Sequence, residues 1–289
     1  MCRIFGFRSI LQSGVHKSLI DADNSLLHQS ERHPDGWGVA FYHLGNPHVV
    51  KLDQQARQCK IFEKISGVVS SNTLITHIRK STVGSIGPLN THPFQFGPWT
   101  FAHNGNLKDF DFYRDRLKEK IDPDLQTFIL GETDSEYIFF LLLSLLRKYS
   151  KLEDWNSTLQ ISQILEEWVA TITQFAGPLT NSKGDYDQNY LTFVLTNGQV
   201  MVAFQGGQSL FYSTHKNRCS ERSTCSHFHR ICEVAAQNSE KVHHLLVSSE
   251  QIKNENIWTA LQFGEFVMVD RGMQFYRGQI SLLAPEKKP

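Results

Sequence analysis

Short apolar, β-rich runs bounded by turn residues dominate both ends of the chain, while a central block carries longer runs of helical character. Ile4 to Arg8 alternates weakly and predicts a first strand with Cys2 at its leading end. Leu11 to Ser30 mixes the two kinds and predicts a helix with loops. Val39 to Tyr42 and Val49 to Leu52 predict a hairpin turned by Gly45-Asn46-Pro47. The β-branched run from Thr73 predicts a buried strand that delivers Arg79 at its end. Another strand, Trp99 to His103, stops at Asn104-Gly105, a pair that favours a tight turn. The central block then carries a charged helix within Asp109 to Ile121 and a long aliphatic one from Tyr137 to Tyr149. Thr133, Asp134 or Ser135 could cap the latter by accepting bonds from its first-turn N–H groups. From Thr158 to Phe175, Leu159, Leu165, Trp168, Val169, Ile172 and Phe175 recur at the helical period. The last third returns to strands: Tyr190 to Thr196 and Gln199 to Phe204 about Asn197-Gly198, then Leu210 to Ser213 and His244 to Ser249. Phe266 to Asp270 and Met273 to Tyr276 form a final pair turned by Arg271-Gly272. Strands at both ends with helices between them predict an α+β fold. No Pro/Ser/Gly linker or repeat divides residues 1–289, so one domain is expected.

Charge and composition exclude more than they suggest. Lys+Arg and Asp+Glu both number 29, for a net charge of +0, which offers no electrostatic case for nucleic acid or an anionic membrane. The most apolar run, Tyr137 to Leu146, is too short for the ~20 residues that cross a bilayer. The five cysteines are an odd number behind no apolar leader, so free thiols in a reducing cytoplasm are expected rather than a disulfide framework.

The chemistry begins at Cys2. Removal of Met1 would leave Cys2 with a free α-amine of reference pKa about 8, so one residue would carry both a nucleophile and a base. By itself Cys2 reads first as the start of a strand, and only its company downstream favours the nucleophile. Arg32-His33-Pro34-Asp35-Gly36-Trp37-Gly38 likewise reads as a turn, or as backbone that two glycines bring close to a site. Asn104-Gly105 alone reads as a hairpin turn and Asp134 alone as a helix cap. Cys219, Cys225 and Cys232 with His227 and His229 invite a zinc site. They lack the close Cys-x₂₋₄-Cys spacing, so a solvated loop is expected and no metal.

In combination and order these segments resemble a class II glutamine amidotransferase domain of the N-terminal-nucleophile hydrolase type. The resemblance rests on Met1-Cys2-Arg3-Ile4-Phe5-Gly6, Thr76-His77-Ile78-Arg79 with Thr82, and Thr91-His92-Pro93-Phe94. It continues through Phe101-Ala102-His103-Asn104-Gly105-Asn106-Leu107 and Glu132-Thr133-Asp134-Ser135-Glu136. The segment at Pro34-Asp35-Gly36, and Val247-Ser248-Ser249-Glu250 followed by Trp258, bring it nearest the stand-alone, amidotransferase-only branch. The resemblance implies two stacked antiparallel β-sheets flanked by helix layers. It implies an enzyme without cofactor that cleaves the γ-glutamyl amide of glutamine, or of a γ-glutamyl conjugate, through a thioester on Cys2. Asn104 and Gly105 would form the oxyanion hole. Arg79 would hold the substrate α-carboxylate and Asp134 its α-ammonium, with Thr82 and His92 near the glutamyl pocket. Relatives of this kind act on γ-glutamyl compounds of thiol metabolism or pass ammonia to a fused synthase, and no such domain is expected here. A synthase or peptidase partner is therefore one expectation. A non-catalytic or partner-dependent subunit that keeps the pocket is the alternative.

Overall fold

The computed structural model describes residues 2–14, 16–81, 83–152, 160–181 and 187–282. The first part of the chain supplies β1 (Arg3–Gly14), β2 (Trp37–His43), β3 (Asn46–Leu52), β4 (Ser70–Ile78), β5 (Phe94–Phe96) and β6 (Trp99–Asn106), with the short helix α1 (Leu26–Gln29) and α2 (Lys60–Val68) among them. Four helices follow: α3 (Phe110–Lys118), α4 (Pro123–Gln126), α5 (Asp134–Arg147) and α6 (Ile161–Ala176). The rest is β7 (Tyr190–Thr196), β8 (Met201–Phe204), β9 (Phe211–Ser213), β10 (His244–Ser248), β11 (Thr259–Ala260), β12 (Glu265–Val269) and β13 (Phe275–Gln279). The strands form two antiparallel sheets. One has seven strands in the order β11-β9-β10-β1-β4-β2-β3, the other six in the order β13-β12-β8-β7-β6-β5.

The sheets stack face to face, and the period of two sorts their side chains into layers. On β1, Ile4 enters the layer between the sheets with Ile75, Val194 and Val247. Its neighbours Phe5 and Phe7 point the other way, into a cluster with Trp37 and Phe62 of α2. The helical layer covers the far face of the six-stranded sheet, where Phe101, Phe193 and Phe204 pack with α5 and α6. Helix α5 is buried from Asp134 through Leu146, because it lies between that sheet and the other helices. A helix apolar on every side is stable only in such a place. Covered faces on both sides also explain β7, every residue of which is buried.

Several expected boundaries shift. Leu11 continues β1, and only short helical turns occupy the 17–32 stretch. The β2–β3 turn is made by Leu44 and Gly45, at φ 49° and 81°, instead of Gly45-Asn46-Pro47. Paired positive φ angles match the twist of a hairpin, and Pro47 falls in β3, an edge strand where a missing N–H costs little. Asn104-Gly105 is not a turn: it lies within β6, paired with Thr192 and Leu191 of β7. Helix α6 begins at Ile161, while Thr158 and Leu159 lie outside the described residues. The 215–232 stretch is more than a solvated loop, since Cys219 is buried in it. Among the described residues no helix is long and apolar enough to cross a membrane.

Candidate active site

Antiparallel pairing sets the site. The register Arg3↔Ile78 brings the start of β1 beside the end of β4, so that Cys2 meets Lys80. The Cys2 thiol donates to the Lys80 carbonyl at 3.3 Å and accepts the Lys80 N–H at 3.2 Å. Behind it the chain is anchored twice. Arg3 forms an ion pair with Glu250 at 2.6 Å, and the Ile4 N–H donates to Ser249 Oγ at 3.0 Å. Burial pushes the Cys2 thiol up from its ordinary value, while the Lys80 N–H and the Arg79 and Arg3 cations act against that shift.

Arg79 follows β4 and is buried. Its N–H donates to the Gly36 carbonyl at 2.8 Å, and its own carbonyl accepts the Asp35 N–H at 3.2 Å. Asp35 Oδ2 also accepts the Ser81 N–H at 2.8 Å. The Pro34-Asp35-Gly36 segment is thus both a turn and a support that carries the β2–β4 pairing onward to the site. The guanidinium donates to the Ser85 and Val83 carbonyls and to Ser81 Oγ, each at 3.2 Å, which wraps the 81–85 loop around it. Thr82, in that loop, lies outside the described residues.

His92 precedes a cis bond to Pro93 and is buried. Its ring centroid lies 4.2 Å from that of His77 and 4.6 Å from that of Phe94, and neither of its ring nitrogens has a hydrogen-bond partner. His77 Nε2 donates to the His103 carbonyl at 3.1 Å, joining β4 to β6 across the two sheets. His103 Nε2 donates to the Tyr190 carbonyl at 3.0 Å, and its Nδ1 lies 2.9 Å from Ser135 Oγ. Burial holds all three imidazoles below their ordinary values, His77 at about 3.

Gly105 and Asp134 complete the site. A Cβ on Gly105 would collide with the His103 ring and the Tyr190 carbonyl, so only glycine fits between them. Asp134 is the first residue of α5, behind Thr133, which makes no side-chain cap bond. Its Oδ1 accepts the Ser135 N–H at 2.7 Å, a first-turn bond made from inside the helix and not from the cap position, which Thr133 holds. Its Oδ2 accepts the Leu107 N–H, also at 2.7 Å, and so ties the helix to the end of β6. Cys2, Arg79, His92, Gly105 and Asp134 all line one pocket of about 300 Å³, counted to include open solvent. Asn104 is buried next to Gly105 with its Oδ1 unpaired, but it does not line this pocket.

Sequence reasoning missed the supports. His103 and Ser135 join Asp134 in a buried chain, Ser135 Oγ lying 2.9 Å from His103 Nδ1 and 3.1 Å from Asp134 Oδ1. Asn90 Oδ1 accepts the Glu132 N–H at 2.8 Å, and its amide donates to the Ser85 carbonyl at 3.0 Å, which fastens the 85–91 loop to the approach to α5. Nothing in the spacing of these residues marks them; they meet only in the fold. No group of three or more His, Cys, Asp or Glu able to hold a metal ion occurs among the described residues.

Comparison with known proteins assigns the chain to a family. Residues 1–288 match the sequence profile of the family described as class-II glutamine amidotransferases, and the chain belongs to that family. Among solved structures, a glutamine aminotransferase class-II domain protein from Silicibacter pomeroyi superposes with TM-score 0.64 at 18% identity, over 97% of this chain and 100% of that one. The glutamine phosphoribosylpyrophosphate amidotransferase of B. subtilis superposes with TM-score 0.59 at 13% identity, over 98% of this chain and 50% of that one. Both support the N-terminal-nucleophile hydrolase type of fold. Among curated relatives, an uncharacterized protein of Methanocaldococcus jannaschii is 36% identical over 54% of this chain and 41% of its own length. A protein of Saccharomyces cerevisiae named a "probable glutamine amidotransferase" is 26% identical over 70% of this chain and 62% of its own. A γ-glutamyl-hercynylcysteine sulfoxide hydrolase of Mycobacterium tuberculosis is 30% identical over 36% of this chain and 49% of its own. The chain thus matches about half the length of these relatives.

Proposed function

We propose that this chain is an amidohydrolase that cleaves the γ-glutamyl amide bond of glutamine, or of a γ-glutamyl conjugate, through a thioester on Cys2. The observation that carries the reading is the convergence of a thiol, a guanidinium, a carboxylate and Gly105 on one small pocket. Burial favours the neutral thiol at rest, so the reaction needs a base beside it. The α-amine of Cys2, freed by loss of Met1, takes the Sγ proton as the sulfur attacks the amide carbon. The oxyanion that develops is met by the Gly105 N–H, a donor of a kind typically worth ~3–4 kcal/mol, and Asn104, buried beside the pocket, would reach it only by turning its side chain inward. The amine then leaves with the proton, and water cleaves the γ-glutamyl thioester. Arg79 spends three bonds on its loop and has five N–H donors, which leaves donors for an α-carboxylate. Asp134 accepts two backbone N–H groups and keeps lone pairs for an α-ammonium.

The hydrolase named for a γ-glutamyl-linked substrate in Mycobacterium tuberculosis supports the conjugate as a substrate class. A second reading has its own support. The B. subtilis amidotransferase matches this chain over only half its length, so there the domain is joined to another part. On that reading this chain is a partner-dependent subunit.

The test uses untagged protein whose terminus is checked by mass spectrometry for a free Cys2. Glutamate release is assayed from glutamine, glutathione and other γ-glutamyl amines, alongside Cys2→Ala. The expected result is turnover that Cys2→Ala lowers by at least ~10³-fold, since the nucleophile cannot be replaced by its neighbours. No glutamate from any substrate with a correctly processed terminus would hand the argument to the partner-dependent reading.

A further inference from the structure

A second pocket lies away from the Cys2 site, on the outer face of the seven-stranded sheet. It encloses about 870 Å³, counted to include open solvent, over a floor of Phe5, Phe7 and Leu246. The chain from Lys216 to Cys232 forms its wall. That wall is held in place, because the Lys216 N–H donates to the Cys232 carbonyl at 2.8 Å and the Cys219 N–H to Glu233 Oε1 at 2.9 Å. Lys216 is further fixed by an ion pair with Glu255. Three thiols face this one cavity, those of Cys219, Cys225 and Cys232, and none of them is in a disulfide. Two further observations give the cluster a chemistry. Cys232 Sγ lies 3.2 Å from His243 Nδ1, within proton-transfer reach. His244 also lines the cavity, and its Nε2 is buried with no hydrogen-bond partner. Metal binding does not account for the cluster, since no three of these groups are placed to share an ion.

We propose that Cys232, paired with His243, is a thiol-modification site that takes a low-molecular-weight thiol from a small disulfide as a mixed disulfide. His243 Nδ1 accepts the Cys232 proton and the sulfur attacks one sulfur of the disulfide RS–SR. The Cys232 Sγ–S bond forms as the S–S bond breaks, and the departing RS⁻ takes the proton from the imidazolium. The protein thiol is oxidised, one half of the small disulfide is reduced to RSH, and nothing else is needed. Burial and the nearby His227 and His229 rings hold the His243 imidazole below its ordinary value, so the ring is neutral and its Nδ1 lies beside the thiol. A half-buried thiol in a concave wall suits a small disulfide. The floor of the pocket belongs to β1, so the adduct would rest against the strand that leads from Cys2.

The test treats the full chain with 2-hydroxyethyl disulfide, which carries no γ-glutamyl group and so is silent towards the proposed hydrolysis. Adducts are mapped by peptide mass spectrometry over time. Cys232 should acquire one mercaptoethanol group before Cys225 and lose it on reduction. His243→Asn should slow labelling of Cys232 about tenfold, as expected when a thiolate-promoting partner is removed, and leave Cys225 unchanged. The Cys2→Ala variant should label at Cys232 like the parent, which separates this site from the first one. Labelling of Cys225 as fast as Cys232, or a Cys232 rate indifferent to His243→Asn, would overturn the proposal.

Discussion

Gly105 is the place where one added atom changes most. Its missing side chain lets the Tyr190 carbonyl and the His103 ring close in from two sides, and both are already bonded to each other. Gly105→Ala must therefore move β6 or β7 and not merely a flexible side-chain tip. The expected cost is about 1–3 kcal/mol of stability, the range for overpacking a fitted interior. On the proposed mechanism the displaced N–H should also lower glutamate release by ~10²-fold or more. Urea denaturation and steady-state kinetics check the two together, and wild-type values for both would show that the strand yields freely. Five residues singled out in the sequence, Cys2, Arg79, His92, Gly105 and Asp134, line one pocket. What was not legible is how they are held. The His103–Ser135–Asp134 chain joins a strand to a helix through residues that share no period or motif spacing. Asn104 is the discordant member, buried beside the pocket without lining it.

The junction between β6 and α5 depends on Asp134 in the same way that Gly105 depends on empty space. One carboxylate oxygen takes the Leu107 N–H and the other the Ser135 N–H, so the strand end and the helix start share a single anion. The site near the helix N-terminus also suits a negative charge. Asp134→Asn keeps the shape but turns one acceptor into a donor, and that donor must face a backbone N–H. A loss of about 1–3 kcal/mol is expected from the unpaired buried group. Thermal or urea denaturation reads it directly, and an unchanged midpoint would mean the junction is held by packing alone. The elements on either side show why a pattern reads some boundaries and not others. Helix α5 announced itself through its unbroken aliphatic run, which tolerates no other environment. Asn104-Gly105 misled because its turn preference is local, whereas the pairing with Thr192 and Leu191 comes from a strand far along the chain. Edge strand β3 accepted Pro47, and the turn moved to Leu44-Gly45, for a reason visible only once the sheet order is known.

The two stacked sheets are joined near the site by a histidine. His77 of β4 donates across the layer to the His103 carbonyl of β6, and His92 packs on the His77 ring. A link of this kind couples the stability of the whole fold to pH. His77 is held at about 3, against about 6.5 for an exposed imidazole, mainly because burial disfavours its cation. The unfolded chain therefore binds a proton that the folded chain refuses between those two values. Stability is fully present above pH 6.5 and is lost as pH falls towards 3. From pH 7 to pH 5 the loss from His77 alone is about 2 kcal/mol. His92 and His103 are lowered by the same cause and add to it, as does buried His244 at about 3. Glu136 opposes them, since burial raises its carboxyl and the folded chain then binds the extra proton first. His215 and His243 are lowered as well, so one group set against six leaves the direction with the histidines. Most carboxylates titrate near pH 4, so the window from 7 to 5 isolates the imidazoles. Urea denaturation at those two pH values should show a clear fall in unfolding free energy, and His77→Asn should make that fall smaller. A free energy that is the same at both would mean that the histidines joining the sheets accept protons without unfolding, and that the link between the layers is looser than its 3.1 Å bond implies.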